Sequence, residues 1–253
     1  MPRKALEEYL KINKKHWDSR AKRDRTEKAE LLRQIMDNTY LEDWEPKLGS
    51  YLKHIRGRRI IVPQFGDGLV MLACARRGAT VTGVDFSTQQ VENARRAAEL
   101  CGVNVNLVEA DWQNLPKSVP KDHFDLVVTE CGIFNWIQRL NAWMKNAHRV
   151  LKNGGTLIVS DFHPFSIITE SKRGKTTVKK SYFDQSPTFF RDQRFSSSGP
   201  TIQFLWKLSD ILNSAIQAGF RVSRLEEFYV EEPRATKLIP NNYLLVAQKS
   251  EDA

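Results

Sequence analysis

From Arg59 onward, short apolar runs alternate with longer stretches in which apolar residues recur every three or four positions. Apolar runs bounded by turn residues predict buried strands, and the wider spacing predicts helices with one buried face. On this pattern strands fall near 59–63, 79–85, 104–109, 124–130 and 155–161, with helices near 68–77, 88–101 and 137–151. Ser87 and Thr88 open the helix TQQVENARRAAELCG. Gly102 closes it, because glycine tolerates the left-handed backbone that ends a helix. Asn153-Gly154-Gly155 reads as the turn that releases the next strand. Beyond 205 the pattern gives a helix at 208–218 and strands at 220–230 and 242–249, the last two joined through Pro233 and Pro240. Repeated strand–helix units with buried strands imply a parallel sheet covered by helices on both faces.

Two segments break this rhythm. Residues 1–50 are charged and carry apolar points at Leu6, Tyr9, Leu10, Trp17, Leu31, Leu32 and Ile35, which predicts one or two helices laid over the core. Residues 162–205 are rich in Ser, Thr, Lys and aromatics, with turn residues at Gly174, Pro187, Gly199 and Pro200. A connection of that length is a functional lid or a linker, and its aromatic content favours a lid. The expected organisation is a helical N-terminal cap over 1–50 and one α/β domain over 51–253, with the lid inserted at 162–205.

Composition alters this picture little. The chain has 253 residues, enough for one α/β domain with a small appendage, and its 41% hydrophobic and 27% charged content is ordinary for a soluble protein. No apolar stretch approaches the ~20 residues that span a bilayer, and the N-terminal segment lacks the apolar centre of a signal peptide. A cytoplasmic location without membrane contact is expected. Cys74, Cys101 and Cys131 fit no metal spacing, and their odd number argues against a disulfide framework; Cys74 and Cys131 are expected to be buried thiols. No clustered His, Asp or Glu residues suggest a metal. The net charge of +9 raises a nucleic-acid partner. The basic residues gather at 14–23 and 172–180, however, and such runs are usually solvated faces.

The chemistry begins at residues 59–85, RIIVPQFGDGLVMLACARRGATVTGVD. A strand enters a turn with Gly66 and Gly68, a helix of small residues follows, and a second strand ends on Asp85. The glycines let the backbone approach a ligand, and the helix behind them offers free N–H groups. An acid about 20 residues on can accept both hydroxyls of a ribose. A nicotinamide dinucleotide would want a third glycine where Met71 stands, and nothing downstream supplies hydride transfer. Asp111 in VEADW and the segment Thr129 to Trp136, TECGIFNW, follow at successive strand ends, where doubly wound sheets bind their ligands.

Taken in order, these features resemble the class I S-adenosylmethionine-dependent methyltransferases over roughly 55–249. The likeness is nearest to a bacterial small-molecule-type subgroup and rests on Gly78 to Ser87, Phe124 to Trp136 and Leu151 to Pro164. The resemblance implies a Rossmann-like, doubly wound, seven-stranded sheet with its last strand antiparallel, and S-adenosylmethionine as cofactor. It implies that Gly66 and Gly68 pass beneath the methionyl and ribose part, that Asp85 holds the ribose hydroxyls, and that Phe86 lies against the adenine. Asp111 would accept from the adenine amine and Trp112 would stack on the ring. Thr129, Glu130 and the residues to Gly132 would line the path of the methyl group. Where the family's first motif has an acid and a further glycine, this chain has Val62 and Gln64. Asp67, Trp17 or Tyr40 is then the substitute anchor for the methionine amino group.

Methyl transfer from a sulfonium is an in-line displacement, governed by alignment, and a base is needed only when the acceptor arrives protonated. His163 in SDFHPF is the first candidate base, with Glu130 and Tyr182 behind it; a histidine that only hydrogen-bonds its loop is the competing reading. Trp136 and Trp206, with His163 and Tyr182, are candidate walls of the acceptor pocket. The Asn-Pro-Pro-Tyr and Pro-Cys settings of nucleic-acid amino and cytosine methylation are missing. The expected acceptor is a small metabolite or natural product with an O, N or S nucleophile, and the expected assembly a monomer or homodimer. Two alternatives stay open: an RNA methyltransferase using the basic lid, and a non-catalytic relative in which Val62 and Gln64 have ended cofactor binding.

Overall fold

The computed structural model describes residues 3–22, 28–43, 46–172, 175–190, 200–231 and 237–250. Seven strands form the main sheet: β1 (Arg59–Pro63), β2 (Thr80–Asp85), β3 (Val105–Glu109), β4 (Phe124–Glu130), β5 (Leu151–Phe162), β10 (Phe220–Phe228) and β11 (Asn242–Lys249), the numbers β6 to β9 falling to four lid strands. Their spatial order is β10-β11-β5-β4-β1-β2-β3. Strands β1 to β5 pair in parallel, and β11 enters antiparallel between β5 and β10. This is the seven-stranded, doubly wound fold that the resemblance implied.

Successive residues of each central strand enter opposite cores. Ile60 and Val62 join one apolar cluster and Ile61 the other; Val128 and Ile158 face the first, Val127 and Leu157 the second. A strand buried on both faces needs apolar residues at every position, which is why these segments read as runs. Helices α5 (Leu69–Arg76) and α6 (Thr88–Leu100) contribute to the first cluster. Helices α7 (Leu140–Val150) and α9 (Leu208–Gln217) cover the second.

The N-terminal segment makes four helices rather than one or two: α1 (Arg3–Ala21), α2 (Lys28–Met36), α3 (Tyr40–Asp43) and α4 (Pro46–Tyr51). The turn at Asn38, with φ of 62°, separates α2 from α3 and escaped a reading by periodicity alone. The lid begins with a short helix, α8 (Pro164–Ile168), and two hairpins, β6 (Thr169–Lys172) with β7 (Lys175–Val178) and β8 (Thr188–Phe190) with β9 (Thr201–Gln203). Strand β5 starts four residues earlier than the turn residues suggested. Its partner register jumps from Leu151 to Thr156, so Asn153-Gly154-Gly155 sits in an irregularity within the strand. Pro233 lies outside the described residues. No described helix is long and apolar enough to cross a membrane.

Close packing of α5 on β2 depends on Gly83. A Cβ there would lie 2.3 Å from Met71 Sδ and 2.8 Å from the Phe65 ring. Overpacking of this kind costs about 1–3 kcal/mol. Gly83→Ala is therefore expected to lower the unfolding free energy by that amount, read as a lower urea midpoint at unchanged slope, and an unchanged midpoint would show that β2 and α5 are not so tightly held.

Candidate functional site

Parallel strands β1 to β4 all end on one edge of the sheet, and the site is built there. The β1–α5 turn carries three consecutive left-handed demands: Gln64 at φ 50°, Gly66 at φ 53° and Gly68 at φ 75°. Gln64 thus adopts the backbone that glycine would supply, a strain of roughly 1 kcal/mol for an L-residue. Its side chain is anchored, with Trp143 Nε1–H donating to Gln64 Oε1 at 2.7 Å. The turn keeps its shape despite the missing glycine. Val62 is buried in the core and offers no acid.

Asp85, at the end of β2, is 4% exposed. Its Oδ2 accepts from Gly66 N–H at 3.0 Å and its Oδ1 from Ser87 N–H at 2.9 Å. Burial pushes its pKa up to about 6, against the opposing pull of those N–H groups and of Lys14. Ser87 caps α6 by accepting from Gln90 N–H, and Gly102 ends that helix at φ 63°. Asp111 similarly caps the short turn 112–114, its Oδ1 accepting from Gln113 N–H at 2.9 Å.

Phe86, Ala110, Asp111, Trp112 and Trp136 line one narrow cleft, closed from above by Leu10 and Asn13 of α1. The free volume is about 10 Å³, room for one water. Trp112 is 1% exposed and belongs to the core beneath the cleft, donating through Nε1–H to the Trp143 carbonyl at 3.2 Å. Helix α1 is fastened at several points. Lys14 donates to the Phe86 carbonyl, Asp18 Oδ1 accepts from Ser87 Oγ at 2.6 Å, and Trp17 meets Trp136 edge-on at 5.3 Å. Asn13 is 2% exposed and binds the Ile202 backbone twice, donating to its carbonyl at 2.9 Å and accepting from its N–H at 2.8 Å.

Asp161 was not singled out by sequence reasoning, although an acid in the apolar run LIVSDF is a signal of a buried partner. It is fully enclosed near the end of β5 and accepts from the N–H groups of Gly132, Ile133, Phe134 and Phe162, the last three at 3.1, 3.1 and 2.8 Å. Burial raises its pKa to about 6. The carboxylate thereby shapes the loop after β4, where Cys131 and Gly132 both take positive φ. That turn swings Cys131 out of the sheet, so the thiol is exposed and not buried as expected; Cys74 is buried.

Several candidates stand apart from the cleft. His163 is 1% exposed; its Nδ1 accepts from Phe165 N–H at 3.1 Å, capping α8. Its Nε2 lies 2.8 Å from Glu227 Oε1, off the line that a hydrogen bond needs. Burial lowers its pKa, with Glu227 opposing, and its free lone pair is spent on Phe165. In this arrangement the ring bonds its own loop through Nδ1. The Tyr182 hydroxyl accepts from Leu208 N–H at 3.1 Å, and Trp206 Nε1–H donates to the Ile137 carbonyl at 2.8 Å; both tie the lid to the sheet edge. Thr129 is buried and turns its hydroxyl to the Pro63 carbonyl at 3.4 Å, away from any path. Glu130 ends β4, and its side chain lies outside the described residues. Asp67 and Gly68 follow Gly66 in the turn, and Tyr40 is buried in the first core cluster.

Residues 63–159 match the family described as "Methyltransferase domain". The matched segment is a methyltransferase domain, and it covers less than half of the chain. The matched residues run from the end of β1 to within β5 and so contain the glycine turn, Asp85, Asp111 and the loop after β4. Bacillus subtilis YbaJ, named an uncharacterized methyltransferase, is 24% identical over 229 residues, covering 85% of this chain and 89% of its own. Demethylmenaquinone methyltransferase of Thermus thermophilus is 38% identical over 99 residues, 39% of this chain and 44% of that protein. The latter likeness therefore spans less than half of either chain. Among solved structures, an S-adenosylmethionine-dependent methyltransferase from Mesorhizobium loti superposes with a TM-score of 0.67 over 84% of this chain and 99% of its own, at 21% identity. The methyltransferase fold thus extends well beyond the matched family segment.

The residues of the site fit a nucleoside. Asp85 takes backbone N–H groups of Gly66, Ser87 and Phe86, and a carboxylate with about four acceptor positions has room left for a hydroxyl. Beside Gly66, a Cβ would meet only the Gln64 carbonyl oxygen, at 4.0 Å. Among the described residues no group of three or more His, Cys, Asp or Glu stands together as metal ligands.

Removing the Asp161 carboxylate would leave four N–H groups without their acceptor. At about 1–3 kcal/mol for each buried donor left unpaired, Asp161→Ala is expected to cost roughly 3 kcal/mol or more, read by chemical denaturation. A loss below about 1 kcal/mol would mean that the loop after β4 holds itself.

Proposed function

We propose that this methyltransferase moves a methyl group from S-adenosylmethionine to an O, N or S nucleophile of a small-molecule acceptor. The observation that carries the reading is Asp85, a buried carboxylate at the end of β2 that binds the N–H of Gly66 beside an open glycine turn and retains acceptor capacity. Bound there, the cofactor supplies a methyl made electrophilic by its sulfonium. Asp85 would hold the ribose hydroxyls, Phe86 and Asp111 the adenine, and the turn at Gly66 to Gly68, with Asp67, the methionyl part. Trp17, carried in by α1, would close over them against Trp136.

Helix α1 leaves little free volume in the cleft, so cofactor entry requires α1 to swing away and return. On return, α1 and β9 exclude water from the reacting centre. Alignment then supplies most of the rate, consistent with His163 having no lone pair to offer. Trp136 and Trp206 flank the loop after β4, where the acceptor would sit. The Thermus relative's name supports a small organic acceptor within this family.

Titration of S-adenosylhomocysteine by calorimetry is the test. Binding that weakens at least about tenfold in Asp85→Ala supports the site, and a folded wild-type protein that takes up none overturns it. The pH profile is a second check. The hydroxyls need an ionised acceptor, and the Asp85 pKa is raised to about 6. Affinity is expected to be level near neutrality and to fall up to about tenfold per unit as pH drops below that value. A level profile down to about pH 5 would remove Asp85 from the ribose site.

A further inference from the structure

The N-terminal ends of β1 and β2 lie on the edge of the sheet opposite the cofactor site, roughly 15–20 Å away by the length of a strand. An open groove of about 590 Å³ is sunk there, lined by Lys53, His54, Arg56, Arg76 and Arg77, with Asn38 and Glu42. Glu42 is its one carboxylate and is already taken, since Arg77 donates to both Glu42 oxygens at 2.6 and 2.5 Å. Arg77 also donates to the carbonyls of Leu52 and Asn38. Lys53 and Arg56 have no ion-pair or hydrogen-bond partner among the described residues, and Arg76 commits only Nε, to the Met36 carbonyl at 3.1 Å.

Lys53, Arg56 and Arg76 are solvent-exposed, and Arg56 among them is also held by packing. Arg56 lies flat beneath Gly78, where a Cβ would come within 3.3 Å of its Cγ and Nη1. The Gly57 N–H donates to the Gly78 carbonyl at 2.8 Å and locks the two loops together. Holding like charges around one concavity raises the energy of the empty fold, and an anion of matching charge removes that cost. Beyond the groove the basic surface is interrupted. Arg58 and Lys152 both turn to Asp125, which neutralises part of the neighbouring basic surface. A nucleic-acid backbone needs a continuing track of cations, whereas two or three linked phosphates need only a bounded pocket.

We infer that this groove binds an oligophosphate anion, a pyrophosphate or the phosphate tail of a nucleotide, at a site separate from methyl transfer. Lys53, Arg56 and Arg76 supply the charge, and His54 a further donor.

The test is calorimetric titration and thermal unfolding with inorganic pyrophosphate and with ATP, at constant ionic strength set by sodium chloride. Saturable one-to-one binding and a raised melting temperature are expected. The exposed double variant Lys53→Gln/Arg56→Gln should bind at least about tenfold more weakly, having lost two charge-assisted contacts, with S-adenosylhomocysteine affinity unchanged. Equal affinity for the two probes assigns the phosphates alone; tighter ATP binding assigns a nucleotide. The inference is overturned if neither probe stabilises more than chloride does, or if the double variant responds like the parent. It is overturned as well if single-stranded RNA binds there while both probes fail.

Discussion

Parallel strands leave backbone N–H groups at the turns beyond their carboxyl ends, where no neighbouring strand can take them. This chain meets that demand with carboxylates drawn out of water. Asp85 gathers Gly66 and Ser87, joining the glycine turn to the start of α6. Asp161 gathers Gly132, Ile133 and Phe134, fixing the loop that follows β4. Burying a charge is costly, and the pKa of each acid rises to about 6 as a result. The N–H groups keep it from rising further. What distinguishes the two is their setting: Asp85 adjoins the glycine turn and the Phe86 side of the cleft, while Asp161 is given over to four N–H groups of the chain itself.

The second organising feature is the short return segment of the lid. Residues 201–206 touch two parts of the molecule that are distant in sequence, α1 and the loop after β4. Asn13 grips Ile202, the Phe204 N–H donates to the Asn135 carbonyl, and Trp206 donates to Ile137. The N-terminal helix, the lid and the loop after β4 are thus one mechanical unit. Movement of α1 away from the cofactor cleft strains β9, and β9 borders the loop where an acceptor would sit.

How much of this was legible depends on how local the governing contact is. The glycine turn, Ser87 as helix cap, Gly102 as helix end and Asp85 at the strand end follow from neighbours a few residues away, and the sequence shows them directly. Gln64 was harder. Its type argues against a left-handed turn, and the compensation comes from Trp143, 79 residues on. His163 was ambiguous for the same reason: its residue type suits a base, while its burial and the bond from Phe165 N–H show only in the folded chain. Asn13 looks like one more polar residue of an amphipathic helix until its partner, 189 positions away, is known. Cys131 looked buried because the strand pattern runs up to it, whereas a positive φ turns it outward.

Strand β11 fills the sheet between β5 and β10, and its residues Asn242 to Gln248 pair antiparallel with Phe162 to Thr156. It is also the last of the seven strands to leave the ribosome. Until then β5, an apolar strand buried on both faces in the finished fold, stands as an open edge beside its completed neighbours. The protein therefore passes through synthesis with this apolar edge uncovered, and removing Asn242 to Lys249 would make that passing state permanent. Quality control of this fold would be exerted less on its catalytic centre than on a strand that contributes no residue to it.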